Sequence, residues 1–217
     1  MMDICRKKAL IFDMDGVLVD SETCYLNLIR EFLKMNGKEP DEQELLRLVG
    51  ADERESLAYI CAFWKEEKSG EQIKLLLADY FSEHRPSYKD LLFEETVEVI
   101  KELSYRKYIL ALASSSSMEA IEEMLEDTGL KSYFSILVSG EIFPKSKPDP
   151  EIYRYTLKKL GLRKKDCLII EDSEYGIAAG KAAGVEVVAV DRQIFAVNQS
   201  KADFKMKSLK ELIKTEN

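Results

Sequence analysis

Two aspartates near the start of the chain stand inside a run of apolar residues. The stretch reads IFDMDGVLVDSE, in which Asp13 and Asp15 separate one apolar run from the Val-Leu-Val that follows. A carboxylate carried into an apolar setting costs free energy unless it is paired or bound to a cation. Two carboxylates one residue apart therefore indicate a site rather than a surface.

Further polar groups follow, or lie between, other short apolar runs of the chain. A run of serines begins at Ser114, a lysine stands at Lys147, and the acidic pair Glu171 and Asp172 closes another apolar run. Ligands of an open parallel sheet bind beyond the carboxyl ends of its strands. The sequence therefore predicts that carboxylates, a hydroxyl cluster and a lysine collect at one edge of a sheet.

Electrostatics require a cation at such an edge. Two carboxylates about 5 Å apart repel each other by roughly 3 kcal/mol at an effective dielectric constant of about 20, so four of them need compensating positive charge. The chain has one histidine and four scattered cysteines, and its hard oxygen ligands select Mg²⁺ over zinc. The hypothesis is a Mg²⁺ site of Asp13, Asp15 and Asp172, with Glu171 in or just behind the coordination shell.

The remaining polar groups suit a phosphoryl group. The hydroxyl of Ser114 and the backbone N–H groups near it can hold phosphate oxygens, and Lys147 adds a positive charge. A carboxylate can then attack phosphorus and form an aspartyl phosphate. The second acid, two residues on, can protonate the leaving oxygen and later activate water. The pattern favours phosphoryl transfer through an aspartate.

The elements that position these groups alternate along the chain. Nearly continuous apolar runs predict strands buried on both faces of a parallel sheet, at residues 9–12, 108–113, 135–138, 167–170 and 185–190. Helical patterns lie between them, and one has a start signal at Ser116 and a stop at Gly129. This alternation predicts an α/β fold with a doubly wound, mostly parallel sheet. Helical stripes without a strand pattern predict an all-helical insertion at about residues 21–86.

Four motifs of the chain resemble those of the haloacid dehalogenase superfamily phosphatases. They occur in order and cover essentially the whole chain: DMDGVLVDS, ASSSS, KSKPDPEIY and IIEDSEYGIAAGKAAG. The chain looks most similar to the beta-phosphoglucomutase-like branch, whose helical cap is inserted just after the first motif. The resemblance implies a Rossmann-like core domain of residues 1–18 and 87–217 and a helical cap domain of residues 19–86.

The resemblance also implies roles for the motif residues. Asp13 matches the nucleophile, and Asp15 matches the general acid/base, whose backbone carbonyl is offered to magnesium. Ser114 and Lys147 match the phosphate-binding positions, and Ser115, beside Ser114, is a further phosphate-binding candidate. The metal-binding positions that it implies are Asp13, Asp15, Glu171 and Asp172.

Three functions stay open at this point. The first is a Mg²⁺-dependent phosphomonoesterase acting on a small phosphorylated metabolite, such as a sugar phosphate. The second is a sugar-phosphate mutase of the beta-phosphoglucomutase type, in which the phosphoryl group returns to another hydroxyl of the substrate. The third is a phospho-aspartate signalling module of the receiver type. Receivers place the phosphorylated aspartate after a middle strand, whereas here the middle strand ends in serines.

Two positions in the predicted cap separate the phosphatase from the mutase. Beta-phosphoglucomutases carry a histidine a few residues past the first motif, where this chain has Tyr25. Their arginine-bearing segment resembles VGADERESL only with a one-residue insertion, which leaves Arg54 as a candidate substrate contact together with Tyr25. These departures favour the phosphatase.

Bulk composition narrows the partners. The 217 residues carry a formal net charge of −8, which argues against nucleic acid or an anionic membrane as the main partner. Scattered cysteines predict reduced thiols, and neither a signal peptide nor a membrane span is evident, so we expect a cytoplasmic protein. The expected partner is a small phosphorylated metabolite. The sequence gives no oligomeric state, with a monomer slightly favoured.

Overall fold

A six-stranded parallel sheet forms the centre of the larger of two structural units. The computed structural model describes residues 4–48, 53–64 and 67–214. One unit comprises Ser21–Ser87, and the other is made by the rest of the chain. The strands are β1 (Ala9–Phe12), β2 (Ile109–Ser114), β3 (Phe134–Ser139), β4 (Cys167–Glu171), β5 (Glu186–Val190) and β6 (Phe204–Met206).

The order of the strands makes the sheet doubly wound. Across the sheet the order is β3-β2-β1-β4-β5-β6, and each neighbouring pair is parallel. Strand β1 therefore lies at the point where the chain reverses its direction of progress across the sheet. The predicted α/β class with a parallel sheet is confirmed. Because Asp13 directly follows β1, it leaves the sheet at the switch point where such folds bind ligands.

In its described residues, the unit of Ser21–Ser87 consists of helices and connecting loops, without a strand. Its helices are α1 (Ser21–Met35), α2 (Glu42–Leu46), α3 (Glu53–Ala62) and α4 (Gly70–His84). Phe32 of α1 contacts the rings of Trp64 and Tyr80 at centroid distances of 5.7 and 5.5 Å. Ser69 opens α4 with a capping box, which satisfies backbone N–H groups that the first turn leaves free. The all-helical insertion predicted after the first strand is confirmed.

Helices cover both faces of the sheet in the larger unit. They are α5 (Tyr88–Leu91), α6 (Thr96–Tyr105), α7 (Met118–Asp127), α8 (Glu151–Leu160) and α9 (Glu174–Ala183). Helices α6 and α7 pack with Leu10 and Phe12 on one face, and α8 and α9 pack with Ala9 and Ile11 on the other. All four of these β1 residues are 0% exposed, which explains why the first strand reads as a continuous apolar run. None of the helices in the described part of the chain combines the length and hydropathy that a bilayer crossing requires.

Hydrogen bonds from other parts of the larger unit hold residues 17–18 of the turn that follows β1. The backbone N–H of Phe93 and the hydroxyl of Thr96 both donate to the carbonyl of Leu18, at 3.2 and 2.9 Å. The guanidinium of Arg192 donates to the carbonyl of Val17 at 2.8 Å and to the carboxylate of Glu95 at 2.6 Å. These contacts hold residues 17–18 in place, so the preceding residues of the turn rest on a fixed support.

Candidate active site

Asp13 is a buried carboxylate at the carboxyl end of β1. Its backbone N–H donates to the carbonyl of Ile170 at 3.0 Å, which continues the pairing of β1 with β4 beyond the strand. The residue is 7% exposed, and its Oδ1 accepts a hydrogen bond from Lys147 Nζ at 2.7 Å. Burial raises the pKa of Asp13 to about 8, because the charge of Lys147 only partly offsets desolvation and the carboxylates of Glu171 and Asp15 add repulsion. The charge of Lys147 alone is therefore not enough to compensate the negative charge of an ionised Asp13 in this site.

Lys147 joins the ends of three strands through its ammonium group. Nζ donates to Asp13 Oδ1 and to Glu171 Oε1, both at 2.7 Å, and to the carbonyl of Ala113 at 3.3 Å. Burial by itself lowers the pKa of Lys147, yet the carboxylates of Asp13 and Glu171 outweigh it and hold the pKa well above the usual lysine value. Lys147 is thus a permanent positive charge shared between two buried carboxylates.

Glu171 is the last residue of β4, and its side chain is 0% exposed. Its Oε1 accepts from Lys147 and, at 2.6 Å, from the hydroxyl of Tyr153. Its Oε2 accepts from the backbone N–H of Asp172 at 3.1 Å and from the backbone N–H and hydroxyl of Ser173 at 3.3 and 3.2 Å. Both oxygens of Glu171 are therefore held by protein donors.

Three carboxylates of the site lie close enough together to hold a metal ion. Asp13, Glu171 and Asp172 each offer one carboxylate oxygen, and these oxygens lie within 4.8 Å of one another. Gly16 makes this approach possible, because it adopts a φ of +71° and a Cβ there would lie 2.0 Å from Asp172 Oδ2. A set of donors made only of oxygens suits a hard cation such as Mg²⁺. The residues present therefore fit the Mg²⁺ expected from the sequence.

Asp15 contacts serines at the end of β2 and in the loop that follows it. Its Oδ2 accepts from Ser116 Oγ at 2.7 Å and from Ser114 Oγ at 3.4 Å. The backbone N–H of Ser116 in turn donates to Ser114 Oγ at 3.1 Å. These contacts fix one carboxylate oxygen of Asp15 by hydroxyl donors. Ser116 is a site residue that the sequence reasoning missed.

The predicted start of helix α7 was wrong by one residue. Ser117, not Ser116, is the N-cap, and its hydroxyl accepts from the backbone N–H of Ala120 at 3.2 Å. The hydroxyl of Ser116 is instead used by Asp15. A run of four serines offers the helix several caps of equal chemistry, so only the tertiary contact decides which serine is free for the site.

The serine loop is supported from the end of β3. The hydroxyl of Ser139 donates to the carbonyl of Ser116 at 2.7 Å, and a Cβ on Gly140 would lie 3.0 Å from the Cα of Ser115. Ser114 is 1% exposed, whereas Ser115 is exposed. The structure therefore brings Ser114, together with Asp13, Asp15, Lys147, Glu171 and Asp172, to one edge of the sheet, with Ser115 beside it in the chain.

Tyr153 is a second residue of the site that the sequence reasoning did not single out. It lies on α8 and is 0% exposed. Burial, followed by the charge of Glu171, raises the pKa of Tyr153 well above its usual value, so the phenol stays protonated and donates to the carboxylate. The only sequence signal was its place at the end of KSKPDPEIY, where a tyrosine reads as an ordinary core residue.

The two candidate substrate contacts lie in the helical unit. Tyr25 on α1 is half-buried, and its ring meets Phe81 edge to face at a centroid distance of 5.5 Å. Arg54 on α3 is exposed. Residues 49–52 of the stretch VGADERESL lie outside the described residues. The roles of Tyr25 and Arg54 stay predictions.

Comparisons with known proteins agree with this arrangement. A family model described as haloacid dehalogenase-like hydrolase matches residues 10–190. The chain is 34% identical to a phosphorylated carbohydrates phosphatase of Thermotoga maritima over 82% of each chain. It is 32% identical to hexitol phosphatase B of Escherichia coli over 94% of this chain and 93% of the other. A crystal structure from Thermotoga maritima that carries the name beta-phosphoglucomutase superposes with a TM-score of 0.80 at 29% identity, over 95% of this chain and 96% of the other.

Proposed function

We propose that this chain, which belongs to the haloacid dehalogenase-like hydrolase family and is an enzyme of phosphatase type, hydrolyses a small phosphorylated metabolite through an aspartyl phosphate on Asp13. One observation carries the proposal: Asp13 is buried, paired with Lys147 at 2.7 Å, and grouped with Glu171 and Asp172 at the switch point of the sheet. The names of the relatives, which include a carbohydrate phosphatase and a hexitol phosphatase, support a sugar phosphate or a sugar-alcohol phosphate as the substrate.

The first half of the reaction esterifies Asp13. A carboxylate oxygen of Asp13 attacks phosphorus, and the bond between phosphorus and the substrate's alcohol oxygen breaks as the new bond forms. Asp15, in its protonated form, gives its proton to the departing oxygen, so the alcohol leaves neutral. The contacts of Asp15 with Ser116 and Ser114 support this role, because they fix the position of its carboxyl group.

The second half releases inorganic phosphate. Asp15, now ionised, takes a proton from a water molecule, whose oxygen attacks phosphorus while the bond to Asp13 breaks. This restores Asp13 as a carboxylate and Asp15 as an acid. We assign phosphate binding to the Ser114 hydroxyl, to the backbone near Ser115 and to the charge of Lys147.

The metal site is assigned to the acidic group beside Asp13. Asp13 and Asp172 would hold Mg²⁺ through carboxylate oxygens and Asp15 through its backbone carbonyl, with Glu171 as a further candidate ligand. The hydrogen bonds that Glu171 accepts support a place just behind the ligands. When bound, Mg²⁺ supplies positive charge that offsets these carboxylates and the phosphoryl oxygens.

Removal of divalent cations tests this assignment. We expect chelation with EDTA to lower turnover of p-nitrophenyl phosphate at least about 100-fold, because the phosphoryl oxygens lose their main compensating charge. Added Mg²⁺ should restore turnover and raise the thermal midpoint of the free protein. The Asp172→Asn variant should lose most of that rise, whereas Asp191→Asn, at the end of β5, should keep it. Full turnover after exhaustive chelation would contradict the assignment.

A sugar-phosphate mutase is the second candidate function. The 29% identical structure that carries the name beta-phosphoglucomutase favours it, whereas Tyr25 at the place of the expected histidine opposes it. Screening the purified protein against phosphorylated metabolites, with phosphate release as the readout, tests the phosphatase. A parallel reaction with β-glucose 1-phosphate and a bisphosphate primer separates the two, since a mutase forms glucose 6-phosphate with little free phosphate.

Substrate choice is assigned to the helical unit. We expect Arg54→Ala to lower kcat/KM about 10- to 100-fold on the preferred sugar phosphate, which corresponds to one lost hydrogen bond to a charged group. The same variant should change kcat/KM on p-nitrophenyl phosphate by less than about threefold, because that ester has no sugar to contact. Arg47→Ala is the matched control, since Arg47 is also exposed in this unit. An equal loss on both substrates would remove Arg54 from substrate selection.

The companion role of Tyr25, the cytoplasmic location and the monomeric state stay predictions.

A further inference from the structure

Tyr153 contacts the charged core of the site from the side of helix α8. Its hydroxyl donates to Glu171 Oε1 at 2.6 Å, and the centre of its ring lies 5.2 Å from Lys147 Nζ. It therefore contacts two of the buried charged groups that meet beside β1, Glu171 and Lys147. The residue is 0% exposed, so these contacts are made away from bulk water.

One lysine serves two carboxylates in this core. Lys147 Nζ lies 2.7 Å from Asp13 Oδ1 and 2.7 Å from Glu171 Oε1. Its position is therefore a balance between the two attractions. The hydroxyl of Tyr153 donates to the same oxygen of Glu171. It therefore stabilises part of the negative charge of Glu171, which then attracts Lys147 less strongly.

We propose that Tyr153 is a positioning residue for the reaction: by donating to Glu171, it keeps Lys147 on Asp13 and so holds the nucleophile in place. The inference rests on the proposed function. A phenylalanine would fill the same space between α8 and the sheet, where Tyr153 packs with the apolar residues of that face. Among the residues that the structure describes, this would leave Lys147 as the sole side-chain donor to Glu171 Oε1. Lys147 then shifts toward Glu171, and Asp13 loses its partner.

The test compares Tyr153→Phe with Tyr155→Phe. Tyr155 lies on the same helix and is half-buried, but its ring packs on Phe143 at a centroid distance of 5.6 Å, away from the charged core. With p-nitrophenyl phosphate and saturating Mg²⁺, we expect Tyr153→Phe to lower kcat about 10- to 100-fold with KM within about threefold of wild type. Tyr155→Phe should leave both constants unchanged.

A second readout does not depend on turnover. Beryllium trifluoride mimics a phosphoryl group on an aspartate, and ¹⁹F NMR measures its affinity in the presence of Mg²⁺. We expect Tyr153→Phe to weaken that affinity about tenfold and Tyr155→Phe to leave it unchanged. In a Glu171→Gln background, residue 171 is uncharged and attracts Lys147 less strongly. Adding Tyr153→Phe should then weaken the affinity for beryllium trifluoride by less than about twofold, which tests that Tyr153 acts through Glu171.

The outcomes separate the two proposals. If wild type turns over phosphate esters and Tyr153→Phe matches it in kcat and beryllium trifluoride affinity, the inference is overturned and the proposed function stands, even if the thermal midpoint falls. Equal losses from Tyr153→Phe with and without Glu171→Gln also overturn it. If wild type neither turns over phosphate esters nor binds beryllium trifluoride, both proposals fall.

Discussion

Asp13→Asn is expected to reduce turnover of p-nitrophenyl phosphate by at least about 10⁴-fold, because an amide cannot attack phosphorus to form the aspartyl phosphate. The change is nearly isosteric, so the packing around β1 should be unaffected. The measurement is phosphate release by the purified variant, with circular dichroism to verify the fold. Wild-type-like turnover would remove Asp13 from its role.

The Asp13→Asn variant also tests how the buried carboxylate affects the thermal stability of the protein. The pKa of Asp13 is raised to about 8 in the folded protein, mainly by burial, against 3.8 for the ordinary carboxyl. A raised pKa means that the folded state binds the proton more tightly, so ionisation of Asp13 weakens the fold as pH rises from about 4 to 8. In the metal-free protein at pH 7, we therefore expect Asp13→Asn to have a thermal midpoint equal to or above that of wild type.

The matched control for Asp13 is another aspartate that directly follows a strand. Asp191 comes after β5, and its Oδ1 accepts from the backbone N–H of Gln193 at 3.1 Å. Asp191→Asn also replaces a carboxylate by an amide at this edge of the sheet. Asp191 is not one of the three clustered carboxylates, Asp13, Glu171 and Asp172. We expect turnover within about twofold of wild type. A comparable loss in both variants would show that the edge of the sheet, rather than the Asp13 carboxylate, is sensitive to substitution.

Lys147→Met is expected to damage both activity and stability. Removing the ammonium leaves the carboxylates of Asp13 and Glu171 buried without the cation that they share. Breaking a buried ion pair from one side typically costs about 3–5 kcal/mol, and we expect a loss of unfolding free energy in that range for the metal-free protein. Turnover should fall at least about 10³-fold, since the phosphoryl group also loses a positive charge. Urea denaturation and phosphate release measure the two effects.

Lys145→Met provides the control for this change. Lys145 stands two residues earlier in the same segment and is exposed. The variant removes the same charge from the same loop, so we expect the unfolding free energy to stay within about 0.5 kcal/mol of wild type and turnover to change little. If Lys147→Met were as stable and active as Lys145→Met, the shared ion pair would not organise the site.

Several features of the site could be predicted from the sequence because their signals are local. Asp13 and Asp15 are visible since they directly follow an apolar run of strand length, and Glu171 with Asp172 closes another such run. Parallel strands bring their carboxyl ends to one edge, so position at the end of a strand is enough to predict that these residues converge. The helical insertion was equally visible, because its apolar residues repeat with the period of a helix.

Other features depended on contacts between distant parts of the chain. Ser116 and Ser117 are the same residue type side by side, and only the approach of Asp15 makes one a contact of the site while the other caps a helix. Tyr153 has the helical spacing of a core residue, and nothing local shows that its hydroxyl meets a carboxylate 18 residues later.

The sequence by itself determined which chemical groups this protein has and at which end of the sheet they lie, because strands are visible as local apolar runs and parallel strands share one carboxyl edge. The tertiary structure decided how the charges are shared. Lys147 lies 134 positions from Asp13 and 24 from Glu171, yet it binds both at 2.7 Å. Hydrogen bonds have a reach of about 3 Å, and no pattern along the chain fixes distances that fine. Which donor each buried carboxylate receives is therefore set only when the helices and strands pack.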